Sequence, residues 1–343
     1  MNKDCFIAES DFGSFIGAML GATKVIGPVA KKTKFVFREL SSPGELRLDY
    51  DVTILPAKKA FFPQRQELVR FQGNAVESCI DPEDQVLFGV HFYEVKAIDM
   101  LDELFRAGHE DRNYLANREH TTIVASSIQN VSGRAFFASV GTDVKPKGHD
   151  AFLTKVFGGY VYEVLTDKGA RLTAHGAFEP VTPAQLDEAK RVNDAAMTRC
   201  EEKLSHGAKE IATRVRAAFR KEELWNELSE DCFSCGTCNV VCPTCYCFDV
   251  QDAWNLDQVS GLRCRSWDGC LMEDFAQVSL GMGAKENFRE ERATRYRHRV
   301  MRKMTYLNEK LGGPACVGCG RCSVGCVPDI ADPVKIVDKI MSA

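Results

Sequence analysis

Residues 231–249 read DCFSCGTCNVVCPTCYCFD, and the reading of this stretch decides the rest. Cys232, Cys235, Cys238 and Cys242 follow the spacing Cys-x2-Cys-x2-Cys-x3-Cys, with Pro243 directly after. Three thiolates two residues apart can wrap one corner of an iron–sulfide cube, while the fourth ligates a second cube. A second stretch, CVGCGRCSVGC at 316–326, repeats the spacing with Cys316, Cys319, Cys322 and Cys326. The pair predicts two [4Fe-4S] clusters that exchange their fourth ligands. One falls to Cys232, Cys235, Cys238 and Cys326, the other to Cys316, Cys319, Cys322 and Cys242. Zinc usually takes two separated Cys-x2-Cys pairs. A disulfide framework is not needed in a chain long enough to build a core.

The composition frames these runs. Twelve of the fifteen cysteines lie after Glu230 in a chain of 343 residues. This asymmetry predicts a plainer N-terminal part joined to a metal-bearing C-terminal part. Hydrophobic content of 45% and charge of 27% suit a globular protein. The net charge of -4 argues against a nucleic-acid partner. The N-terminal stretch MNKDCFIAESDFGSFIGAML is broken by acidic residues where a leader needs an apolar core. No segment approaches the ~18–20 apolar residues of a membrane span. A cytoplasmic setting, where thiols stay reduced, is expected.

The fold class expected is α+β: an N-terminal mixed α/β domain followed by a helical dicluster ferredoxin domain. The divisions are 1–180 for the scaffold, 181–230 for a helical connector and 231–343 for the dicluster part, with an insert at 243–315. Short β-branched and aromatic pieces at 34–37, 52–55, 86–90, 121–124 and 160–164 read as strands. Val95, Ile98, Leu101, Leu104 and Phe105 give 93–105 helical spacing. The segment LPAKKAFFPQRQELVRF at 55–71 reads as a fixed loop entering a helix at Pro63. Thr182, Pro183 and Gln185 form a capping box that opens the connector, read as a solvated helical brace with a break near 205–207. The insert reads helical at 250–256, 271–280 and 288–311. Gly312, Gly313 and Pro314 stop the last of these, and Asp332-Pro333 starts a terminal helix.

No G-x-G-x-x-G or G-x-x-x-x-G-K-[ST] occurs, so no flavin or NAD(P) site is expected on this chain. Arg289, Arg292, Arg295, Arg297, Arg299, Arg302 and Lys303 crowd 288–303. Such cations either form a solvated face or favour the reduced form of a cluster whose net charge is about −2 or −3. Cys245, Cys247, Cys264 and Cys270 lie outside the runs. They read as reduced thiols packed near the clusters, with a third cluster or a zinc site as the alternative. Cys5, Cys79 and Cys200, like His91 and His298, read as structural.

The chain resembles the iron–sulfur β subunit of cytoplasmic [NiFe] hydrogenases of the sulfhydrogenase type. It is similar too to the corresponding iron–sulfur component of anaerobic sulfite reductase and to that of flavin oxidoreductases that feed heterodisulfide reductase. The segments LPAKKAFFPQRQEL, LFGVHFYEVKAIDMLDELF, CGTCNVVCPTCYCFDVQD, RSWDGC and NEKLG with CVGCGRC carry the likeness. The resemblance implies an electron-transfer subunit between a flavin subunit that binds NAD(P)H and a terminal reductase or hydrogenase. The runner-up is a catalytic subunit using a redox-active thiol or substrate-binding cluster at Cys245, Cys247 or Cys270. A zinc-stabilised interaction module stands third. Two departures are visible. Tyr93-Glu94 and Ala135-Phe136-Phe137 stand where relatives often carry cysteines, which implies that an extra N-terminal cluster is missing and leans toward the flavin oxidoreductase branch. The proline after Cys326 comes one residue late, as Cys326-Val327-Pro328.

Overall fold

A computed structural model describes residues 4–141 and 146–343. The first three residues of the N-terminal stretch read for a leader lie outside the described residues. Strands in chain order are β1 Cys5–Ala8, β2 Lys24–Lys31, β3 Lys34–Glu39, β4 Arg65–Gln72, β5 Ala75–Ser78, β6 Gln85–His91, β7 Thr121–Ser126, β8 Ala151–Val156, β9 Gly159–Val164, β10 Glu179–Pro180, β11 Phe248–Trp254, β12 Ser260–Trp267, β13 Gln277–Gly281 and β14 Ala284–Asn287. The helices are α1 Glu9–Ala22, α2 Phe92–Arg106, α3 Arg112–Glu119, α4 Asp167–Leu172, α5 Pro183–Thr198, α6 Ala208–Ala217, α7 Glu222–Ser229, α8 Thr237–Val240, α9 Arg292–Met301, α10 Asn308–Leu311, α11 Arg321–Val324 and α12 Pro333–Ser342. No helix among the described residues is long and apolar enough to cross a membrane.

The N-terminal part is an eight-stranded sheet in the order β10-β1-β9-β8-β7-β6-β2-β3. Its centre, β2-β6-β7-β8, is parallel, and its edges pair antiparallel. Every residue of β6 is buried, as a strand covered on both faces requires. One face packs on α1 through Phe15, Ile16 and Met19. The other carries α2 and a large aromatic core, to which Val317 and Cys319 of the second cysteine run belong. The cluster part is thus seated on the sheet.

The α+β reading holds, and 34–37, 86–90, 121–124 and 160–164 all fall inside strands. Residues 52–55 give no strand. Thr53 makes one isolated bridge to Phe35, and its hydroxyl then turns back onto the Leu55 carbonyl at 2.8 Å, just before Pro56. The helix expected at Pro63 is instead β4, which pairs with β12 on one side and β5 on the other. The insert also departs from its helical reading. Residues 250–256 lie largely in β11, and 271–280 run through a single 3-10 turn into β13. Turn chemistry explains both. The Asp257 carboxylate accepts from the Val259 and Ser260 amides and closes the β11–β12 hairpin. Gly281, Met282 and Gly283 all have positive φ and close β13–β14. Helix does follow from Arg292, where α9 continues into a π turn at Arg302–Tyr306 and then α10, ended by Gly312 at φ 69°.

The order β11-β12-β4-β5 makes one sheet from segments on both sides of residue 231. The connector breaks into α5, α6 and α7, and the capping box of Thr182 and Gln185 opens α5 as read. It is not simply solvated. Ile211, Val215, Leu224 and Trp225 form a core with Cys232, Cys238, Tyr296, Val300 and Val337, so the connector wraps the first cysteine run.

Candidate functional site

The two cysteine runs fold alike. Ser234 and Gly318, each just before the second cysteine of its run, have φ of 52° and 64°. Gly236 and Gly320, just after it, have φ of 68° and 77°. A short helix follows each, α8 and α11. The fourth cysteines close the same turn: Cys242 N–H donates to the Asn239 carbonyl at 3.2 Å, and Cys326 N–H to the Ser323 carbonyl at 3.3 Å. Backbone reversals on either side of the middle cysteine fold each run back on itself. Glycine is required at Gly320, where a Cβ would lie 2.4 Å from the Arg134 carbonyl oxygen.

The fourth cysteines cross over. Cys326 lines a cavity of about 50 Å³ with Cys232, Cys235 and Cys238, closed by Leu271, Tyr296 and Ile330. Cys242 lies within electrostatic reach of Cys316, Cys319 and Cys322. Burial pushes the Cys238, Cys316 and Cys319 thiols up to about 12, and neighbouring sulfurs add to the shift. Buried thiols packed this way ionise only if cations accompany them. Among the described residues, no three His, Cys, Asp or Glu side chains converge tightly enough for a single metal ion. A cube of four irons spreads its thiolates more widely than one tetrahedral ion does, so two crossed groups of soft thiols fit it.

The basic stretch divides by face. Arg295, Arg299 and Lys303, four residues apart, are 4%, 4% and 9% exposed, and Arg299 and Lys303 face the cysteines. Arg299 lies beside Cys238, Cys322 and Cys242, between the two groups. Lys303 donates to the Thr244 hydroxyl at 2.7 Å. Burial alone would lower its pKa, but Cys242, Cys245 and Cys316 outweigh burial and hold it above the usual lysine value. Arg292 donates to the Cys232 carbonyl at 3.1 Å, and Arg295 to the Ser234 hydroxyl at 3.1 Å. Arg297 turns away to the Phe219 carbonyl, and Arg302 reaches the Tyr246 hydroxyl.

Two further cations at the site are missed by sequence reasoning. Lys58, 3% exposed, donates to the Cys242 carbonyl at 3.0 Å and also to the Cys245 carbonyl. Burial lowers its pKa to about 8 against the pull of Cys245 and Cys242. The paired lysines of the LPAKK segment are the signal that could have found it. Arg321, beside Cys319, pairs with buried Glu94 and donates to the Thr53 carbonyl at 2.7 Å.

Tyr93-Glu94 and Ala135-Phe136-Phe137, the first of the two departures read in the sequence, meet in space. Tyr93 stacks on Phe137 with ring centroids 5.5 Å apart, Phe92 meets the same ring edge-on, and Glu94 holds Arg321. His91 is fully buried, stacked on Tyr50 at 3.8 Å, and its Nδ1 is 3.0 Å from the Tyr93 hydroxyl. Cys200 is buried, while Cys5 and Cys79 are partly exposed. Cys245, Cys247 and Cys270 line one further cavity, with His298 half-buried at its wall. Cys264 does not line it; it sits on β12 opposite Gln251 and Glu67.

Two thiol quartets on one fold define a dicluster iron–sulfur protein, and residues 231–330 match the family described as a 4Fe-4S dicluster domain. The whole chain is 33% identical over 331 residues to Sulfhydrogenase 2 subunit beta of Pyrococcus furiosus, covering 96% of each protein. The chain belongs to this family of sulfhydrogenase-type iron–sulfur β subunits.

Proposed function

We propose that this chain is a cytoplasmic electron relay within a multi-subunit oxidoreductase. Electrons would enter from a flavin subunit that binds NAD(P)H and leave to a terminal reductase or hydrogenase. The observation that supports the reading is that Cys326 lines one cavity with Cys232, Cys235 and Cys238, while Cys242 lies within electrostatic reach of Cys316. Cys232, Cys235, Cys238 and Cys326 would hold one [4Fe-4S] cluster, and Cys316, Cys319, Cys322 and Cys242 the other. When bound, such clusters each take up and release single electrons.

The chain's own residues set the conditions for this. Arg299, placed between the groups, offsets added negative charge at either quartet. Lys303 and Lys58 do so at Cys242 and Cys245, and Arg321 at Cys319. The apolar walls Leu271, Tyr296 and Ile330 keep water from the first quartet on its inner side. The test is the full chain purified under argon. Reduction should give [4Fe-4S] electron paramagnetic resonance signals, with no NAD(P)H oxidation until the flavin partner is added. Steady turnover of NAD(P)H with a dye by the chain alone would overturn the reading.

A further inference from the structure

The relay leaves one group of thiols without a task. Cys245, Cys247 and Cys270 line a cavity of about 30 Å³ with Asn239, Arg299, Arg302 and Lys303. The Asn239 amide nitrogen is 3.4 Å from the Cys270 sulfur and 3.8 Å from the Cys245 sulfur. Three cations face these three thiols, and no carboxylate is among the lining residues. Arg299 is 4% exposed, and its Nε has no hydrogen-bond partner. A buried cation with an unused donor costs free energy unless an anion meets it. His298 is the one imidazole in the lining.

We propose that Cys245, Cys247 and Cys270 hold a third [4Fe-4S] cluster beside the quartet that contains Cys242. Three thiolates and the sulfides of a cube would place anionic charge against Arg299, Arg302 and Lys303, which line the same cavity. Asn239 donates to two of the ligand sulfurs, the kind of hydrogen bond that tunes such groups. The Cys245 N–H donates to the Cys242 carbonyl at 3.4 Å, so the third group abuts the second and stands within one short hop of it. It is a further station on the relay, not a separate centre.

The test compares iron and acid-labile sulfide in the full chain and in a Cys245→Ser, Cys247→Ser, Cys270→Ser variant, both purified under argon. The difference between the two reads this proposal: about four irons are expected to be lost, from about twelve to about eight. No difference, or zinc bound at these cysteines, overturns it. The iron left in the variant reads the two-cluster proposal separately, and Cys264→Ser controls for loss of a buried thiol. If the triple variant fails to fold, the wild-type count decides alone. About eight irons with three alkylatable thiols at these positions overturns the third cluster.

Discussion

Lys303 is the residue whose charge matters most by position, since it is buried and faces Cys242, Cys245 and Cys316. Lys303→Met should make the midpoint potential of the proposed Cys242 cluster more negative by about 60 mV, the equivalent of roughly 1.4 kcal/mol for one electron. Redox titration followed by electron paramagnetic resonance measures this, and an unmoved potential would dismiss the tuning role. Cys5 makes a different prediction, far from the cluster part. Burial, with the Asp4 charge beside it, raises its thiol to about 12. An ordinary thiol titrates near 8.5, and only the thiolate reacts. Labelling of Cys5 by iodoacetamide should therefore keep rising from pH 9 toward about 12, read by peptide mass spectrometry. A plateau by pH 9 would contradict the assigned burial. At this scale the eight run cysteines and the basic stretch could be read from spacing and charge. The paired lysines of LPAKK marked Lys58 as notable, but its partner was hidden, because it lies 184 residues from Cys242 in sequence and only the fold brings the two together.

Elements were legible where a local rule decided them. Thr182 and Gln185 predicted the start of α5, and both halves of the capping box are present. Thr182→Ala should cost about 1 kcal/mol in chemical denaturation. The β11–β12 and β13–β14 hairpins escape such rules because Val250–Trp254 carries no strict alternation and the alternation of Gln277–Gly281 spans only five residues. Their strand character comes from turn residues and, for β12, from β4 supplied by a distant segment. The glycines of the second run give a sharper test. Gly320→Ala must place a side chain at φ 77° against the Arg134 carbonyl. The left-handed backbone alone costs roughly 1–2 kcal/mol, and iron content should fall with stability. Gly313→Ala meets nothing within 4 Å and should be near neutral. Equal effects from both substitutions would refute the argument.

At the scale of the molecule, the cysteine content suggested two parts, but the contacts tie them together. β12 pairs with β4, buried Arg265 meets Asp111 and Gln66, and Arg321 meets Glu94. No sequence signal gives such pairings, because they depend on which edge strand remains free. Residues 231–343 expressed alone should therefore fail to give a folded brown protein with full iron content, whereas the intact chain succeeds. Circular dichroism and iron analysis of the fragment would show it, and a stable, fully loaded fragment would mean that the shared sheet contributes little.

The two runs differ in depth. Cys235 is exposed, with Phe233 68% and Val327 87% exposed beside it, while Cys319 is buried against the eight-stranded sheet. On the proposed ligand sets, air damage has a preferred starting place. Dioxygen reaches the cube at Cys235 first, and a briefly aerated sample should lose that centre's signal while the inner one persists.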